Sequence, residues 1–172
     1  MLVSDLSISE YNPFYQTYIN ALGNVDLMNE LRQGKKDFLS LVQHLPDDKL
    51  RFAYAEGKWS LAEALVHMID TERIFQYRAL RFARNDKTDL PGFEQDDYVP
   101  NSNAGSRTKN DLMEEYTAVR DSTITLFKSF DQDMLKRVGK ANGFPMSVGA
   151  LGFIINGHQA HHIRIINERY LV

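Results

Sequence analysis

The chain has 172 residues and no cysteine. That excludes disulfides, a catalytic thiol and thiolate metal sites, so any metal must be held by nitrogen or oxygen. No apolar run approaches the ~20 residues of a membrane span. The start, Met1-Leu2-Val3-Ser4-Asp5, lacks the basic and apolar regions of a signal peptide, so a cytoplasmic location without membrane contact is expected. Lys and Arg number 20 against 23 Asp and Glu, a net charge of −3 with a pI near 5.9. The basic residues are scattered among acids and form no stripe, so the electrostatic footprint of a nucleic-acid binder is missing. The hydrophobic fraction of 43% and the charged fraction of 25% are those of an ordinary globular protein. The length suits one compact domain with a full core and is short for two.

What is present gathers near the C-terminus. Three of the five histidines lie in Asn156-Gly157-His158-Gln159-Ala160-His161-His162, inside a segment of helical apolar spacing. At about 100° per residue, His158 and His162 share a face with Leu151, Ile154, Ile155, Ile165 and Ile166. Two imidazoles one turn apart project the same way and can hold one divalent cation. His161 points to the flank. Two helical ligands do not complete a site, and the remaining chain must be searched for a third.

Residues 1 to 25 read as a lead-in, with Asn12-Pro13 starting a short helix that runs through Leu22. Asp26 can cap a longer helix to about His44, whose apolar side is Leu27, Leu31, Phe38, Leu41, Val42 and Leu45. His44 sits in the last turn, where the helix dipole favours it, and is not a ligand candidate. Ser60 and Glu63 form a capping box for a helix to about Arg84, with Trp59 placed to staple against Ala64. On that helix His67 lies on a mixed polar stripe with Glu63, Asp70, Thr71, Ile74 and Arg78, either a solvated face or the lining of a site.

A connection of about twenty residues follows, 85 to 105, long for a compact fold. It predicts a crossover along the bundle, so that its flanking helices are parallel neighbours. Phe93 and Tyr98 would pack it down or cover a site. A third long helix, capped by Ser106 or Thr108, runs to about Phe130, and Asp131 to Arg137 reads as an extra turn. Asn142-Gly143 marks a tight turn, the tip of a small hairpin ahead of Pro145, and Ser147 caps the last helix. Four helices of about 18 to 25 residues, with no convincing strand, argue an all-α four-helix bundle.

Neutral imidazoles on a core-facing helix need partners. Mid-helix positions come level in a bundle, which makes His67 a candidate third ligand, against the plainer reading of buried histidines hydrogen-bonded to backbone or acids. Carboxylate di-iron chemistry needs Glu-x-x-His on two helices, and zincin chemistry needs His-Glu-x-x-His. Neither sequence occurs, and there is no Gly-x-Ser-x-Gly elbow.

Gly57-Lys58-Trp59-Ser60, His67-Met68-Ile69-Asp70-Thr71-Glu72-Arg73, Leu90-Pro91-Gly92-Phe93 and Gly157-His158-Gln159-Ala160-His161-His162 together resemble the DinB-like superfamily of metal-binding four-helix bundles. The resemblance runs over roughly residues 26 to 170. It implies one DinB-like domain over 1–172, with residues 1–25 as lead-in, 26–170 as bundle, and a long crossover between the second and third helices. It also implies that His67, His158 and His162 are metal ligands, that the cation is nickel or zinc with iron also compatible, and that a homodimer forms.

The family includes thiol S-transferases, a thiol-dependent isomerase and proteins described as metal-dependent hydrolases. The expectation is a metal-dependent enzyme that activates water or a low-molecular-weight thiol, the thiol coming from a cosubstrate. Asp70 is the candidate proton acceptor, or a partner that orients His67's surroundings, weighed against a helix-face ion pair with Arg73 or Arg78. Arg78, Arg81 and Arg164 are candidates to attract an anionic cosubstrate. The competing readings are a non-catalytic metal-binding or stress-associated structural protein, whose site would be closed by a fourth ligand, and a metal-free helical bundle.

Overall fold

The computed structural model describes all 172 residues. After short 3₁₀ turns, one of them Pro13–Tyr15 capped by Asn12, come α1 (Gln16–Ala21) and α2 (Leu27–His44). Then follow α3 (Leu61–Ala83), β1 (Asp89–Leu90), α4 (Gln95–Tyr98), α5 (Lys109–Lys128), α6 (Gln132–Leu135), β2 (Val138–Ala141), β3 (Phe144–Ser147) and α7 (Val148–Ile165). A π-helical turn, Ile166–Tyr170, extends α7. The four long helices α2, α3, α5 and α7 form the bundle. No helix is long and apolar enough to cross a membrane.

The helix starts follow from side-chain caps. Asp26, Ser60, Thr108 and Ser147 each accept a hydrogen bond from a backbone N–H of the first turn, and Ser60–Glu63 and Thr108–Asp111 are reciprocal capping boxes. Thr108 rather than Ser106 opens α5.

The small hairpin expected at Asn142-Gly143 is present, and where the sequence offered no convincing strand there is a three-stranded sheet of order β1-β2-β3. Strands β2 and β3 pair antiparallel around Asn142-Gly143, both at positive φ, the backbone a two-residue hairpin turn needs. From the crossover, β1 joins β2 in parallel, Leu90 opposite Ala141. The sheet fastens one end of the crossover to the hairpin before α7. Gly139 lets the hairpin approach α3, because a Cβ there would lie 2.0 Å from the Phe82 ring.

The core is in two parts. One holds Leu27, Leu31, Phe75, Phe82, Phe127, Leu151 and Ile155, and the other Phe38, Val42, Leu61, Leu65, Leu112, Tyr116, Ile166 and Tyr170. Helices α3 and α5 both begin in the second part and end in the first, while α2 and α7 run the opposite way. So α3 and α5 are parallel, as the long crossover demands. Between the two parts every long helix contributes polar or small residues: Gly34 on α2, His67, Thr71 and Glu72 on α3, Arg120 and Thr123 on α5, and Asn156, His158 and Gln159 on α7.

Candidate metal centre

His67 and His158 are buried, 5% and 8% exposed, and His162 is half-buried. Their Nε2 atoms converge. His158 Nε2 lies 3.1 Å from His67 Nε2 and 3.0 Å from His162 Nε2, and the three nitrogens fall within 4.8 Å of one another. Helical spacing stacks His158 and His162 on one face of α7, and α3 carries His67 level with them. Thr71 Oγ1 is 3.4 Å from His67 Nδ1, placed to accept its proton and leave the Nε2 lone pair inward. The Trp59 ring backs His67 at 4.8 Å.

The donor set fits a cation better than it fits itself. A neutral imidazole nitrogen has either one proton or one lone pair, so His158 Nε2 cannot make full hydrogen bonds to both neighbours. Three inward lone pairs around one cation use all three nitrogens. The separations of 3.1 and 3.0 Å match two imidazoles sharing a cation at bonds of about 2.1 Å. Burial also keeps the rings unprotonated. It pulls His67 down to about 4 and, with the neighbouring His67 and His161 rings, His162 to about 3, and it depresses His158 strongly. The residues present therefore suit a divalent cation, and no fourth His, Asp or Glu joins the cluster.

The histidines form the floor of a chamber of about 380 Å³. Its walls are Phe14, Tyr15, Tyr18, Phe75 and Phe93, with Thr71, Glu94, Gln95, Asp96 and His161. Tyr18 stands 5.8 Å from the His158 ring and 5.1 Å from His161. A second hollow of about 390 Å³, lined by Tyr54, Lys58, Trp59 and Tyr170, shares Asp96, His161 and His162 with the first.

The model of the DinB superfamily matches residues 30–166, most of the chain. The chain belongs to the DinB superfamily. An Oceanobacillus iheyensis member named "Putative metal-dependent hydrolase OB0413" is 25% identical over 161 residues, covering 91% of this chain and 81% of that protein. Among solved structures, YfiT from Bacillus subtilis, described as "a probable metal-dependent hydrolase with an unusual four-helix bundle topology", superposes with a TM-score of 0.71 at 14% identity. That match covers 94% of this chain and 92% of YfiT. A mycothiol-dependent maleylpyruvate isomerase superposes with a TM-score of 0.65 at 8% identity, over 99% of this chain and 63% of that one. At these identities the two structures establish the fold.

Within this DinB-superfamily bundle, His158 and His162 share one face of α7 and α3 brings His67 to them, while His161 stands on the chamber wall. Asp70 is not brought to the chamber; it pairs with Arg73 at 3.3 Å, and Arg73 also binds Glu115 at 2.6 Å. Arg78 is buried and donates to the Pro91 carbonyl at 2.8 Å, tying down the crossover. Arg81 is paired with Asp86 and Arg164 with Glu168; none of the three arginines lines the chamber, and Arg78 alone touches its wall, 5.6 Å from the Phe75 ring.

Sequence reading missed the lead-in's contribution of Phe14, Tyr15 and Tyr18, and it missed the carboxylates Glu94 and Asp96. It also missed a buried polar cluster beside the histidines. Arg120, fully buried, donates to both Glu72 oxygens at 2.7 and 2.8 Å, to the Leu31 carbonyl and to Gln159. Gln159, the neighbour of His158, donates in turn to the Gly34 carbonyl at 2.7 Å. A signal existed: Arg120 is four residues after Tyr116 and three before Thr123, on the core face, and Glu72 holds the same relation to Met68 and Phe75.

Proposed function

We propose that this chain is a metal-dependent enzyme of the hydrolase class, with His67, His158 and His162 holding one divalent cation beneath a chamber for a small-molecule substrate. The observation that carries this reading is three Nε2 atoms converging at the floor of an open chamber with no fourth His, Cys, Asp or Glu among them. A structural cation is enclosed by its ligands, whereas a catalytic one keeps positions for water or substrate. That argues against the non-catalytic alternative. The names borne by the Oceanobacillus iheyensis relative and by YfiT support the same class. Imidazole donors suit nickel, zinc and iron alike, with nickel or zinc the first choices.

When bound, the cation supplies Lewis acidity that lets a coordinated water or thiol ionise near neutral pH. The chain's own residues hold and shield the place where that happens. Thr71 and Trp59 fix the orientation of His67, and Tyr15, Tyr18, Phe75 and Phe93 line the chamber with aromatic surface. Asp70, held by Arg73, serves the α3 surface and takes no proton in this reading. Thiol transfer is the second reading. It draws on the mycothiol-dependent structural neighbour, and because the chain has no cysteine the thiol would enter as a cosubstrate.

The test is elemental analysis of protein purified without a chelating tag, for the parent and for His67→Ala and His158→Ala. The parent should carry about one equivalent of metal, and both variants should lose it. A parent that holds none and cannot be loaded overturns the proposal. Hydrolysis assays with and without low-molecular-weight thiols then separate the two reaction classes.

A further inference from the structure

The chamber above the histidines has a charge pattern that restricts what can enter. No Lys or Arg side chain lines it, while Glu94 and Asp96 do. Both carboxylates are exposed on the crossover, and neither makes an ion pair or a side-chain hydrogen bond. Arg81 is paired with Asp86, Arg73 with Asp70 and Glu115, and Arg164 with Glu168; Arg78, buried behind the wall, donates to the Pro91 carbonyl and stands 5.6 Å from the Phe75 ring. Lys58 stands in the adjoining hollow, beyond the border formed by His161, His162 and Asp96. The rest of the wall is five aromatic rings with the neutral side chains of Thr71, Gln95 and His161. Ring faces and unpaired carboxylates together recognise an organic cation, because both present negative potential to it while the rings also desolvate its apolar body.

We propose that the chamber selects substrates that carry an amine or ammonium group on an apolar or aromatic body, in preference to anionic substrates such as phosphate esters. This deepens the reading of the chamber as the substrate site and rests on it. An ester or amide of this kind would place its cation against Glu94 and Asp96, on the crossover, and leave its neutral carbonyl free to reach the histidines.

The test is titration of the full chain, both as purified and stripped of metal, with benzyltrimethylammonium, benzyl alcohol and phenylmethanesulfonate. Calorimetry is the readout, alongside the fluorescence of Trp59, the one tryptophan, whose ring lies 4.8 Å from that of His67. The ammonium should bind saturably and roughly tenfold more tightly than the alcohol, with the sulfonate weakest. Glu94→Gln combined with Asp96→Asn should bring the ammonium down to the affinity of the alcohol and leave the alcohol unchanged; both residues are exposed, so folding is not at stake. Sulfonate binding that equals or exceeds that of the ammonium, ammonium affinity untouched by the double substitution, or no saturable ammonium binding would each overturn the proposal. Because the metal-free chain is titrated too, failure here is distinct from failure of the metal site.

Discussion

Arg120 has no exposed surface, and a guanidinium in that position is tolerable only if every donor is answered. Glu72 meets it with two parallel hydrogen bonds, the geometry that makes Arg–carboxylate pairs strong. Leu31, Asn156 and Gln159 take the remaining donors. Tyr116 donates to the same Gln159 oxygen at 2.6 Å. The cluster is therefore fully satisfied, and it joins α2, α3, α5 and α7 at the level of the histidines. Removing one partner strands the other. Arg120→Met should destabilise the protein by about 3–5 kcal/mol in urea unfolding. Adding Glu72→Gln should recover part of that loss, because the stranded charge is gone. Metal affinity should fall in Arg120→Met as well, since Gln159, adjacent to His158, loses an anchor. A loss below about 1 kcal/mol would mean that Glu72 finds water, and that the cluster does not set the height of α7.

At the scale of elements, the long helices were readable because each begins with a cap and carries an apolar stripe: Asp26, Ser60, Thr108 and Ser147 each open a helix where the sequence put one. The trihistidine cluster was readable for a related reason, since two ligands share one helical face and the third is the histidine midway along another helix. Of the sheet, only the Asn142-Gly143 hairpin tip was readable. Two to four residues carry too little periodicity to register, and β1 exists only because β2 lies beside it. Arg120 and Glu72 were missed because a charged residue on a wheel counts as surface until its partner on another helix is known.

The short helix of the lead-in was read, but its place at the site was missed because nothing local says where α1 docks. The docked contact is Gly157, where a Cβ would lie 2.4 Å from the Tyr18 carbonyl oxygen. Gly157→Ala should therefore push α1 off α7, cost about 1–3 kcal/mol, and weaken metal retention by opening the wall that Tyr18 forms beside His158. Gly105→Ala, where an added Cβ meets nothing within 4 Å, is the control and should leave both unchanged. Equal behaviour of the two variants in thermal melts and metal titration would show that the α1–α7 approach is not tight in solution.

Across the whole molecule, the bundle places a layer of polar side chains between two apolar parts, with the histidines at one side of that layer and the Arg120 cluster beside them. Such a layer makes stability depend on pH when no metal is bound. In the unfolded chain a histidine takes a proton near pH 6.5. In the fold, burial holds His67 at about 4 and His162 at about 3, and His158 is depressed as well. Between these values the unfolded state binds more protons than the folded one, so stability falls as pH is lowered from 6.5 towards 4. Each fully titrating group contributes about 1.4 kcal/mol per pH unit in that window. The metal-free protein should therefore show a urea midpoint that is flat above pH 7 and drops steadily between pH 6.5 and 4.5. His67→Gln combined with His162→Gln should remove most of that slope. Metal-loaded protein should hold its midpoint further into acid, because protons must first displace the cation from the ligands. A metal-free midpoint that stays level to pH 5 would mean that the three imidazoles reach solvent, and the closed floor beneath the chamber would then have to be abandoned.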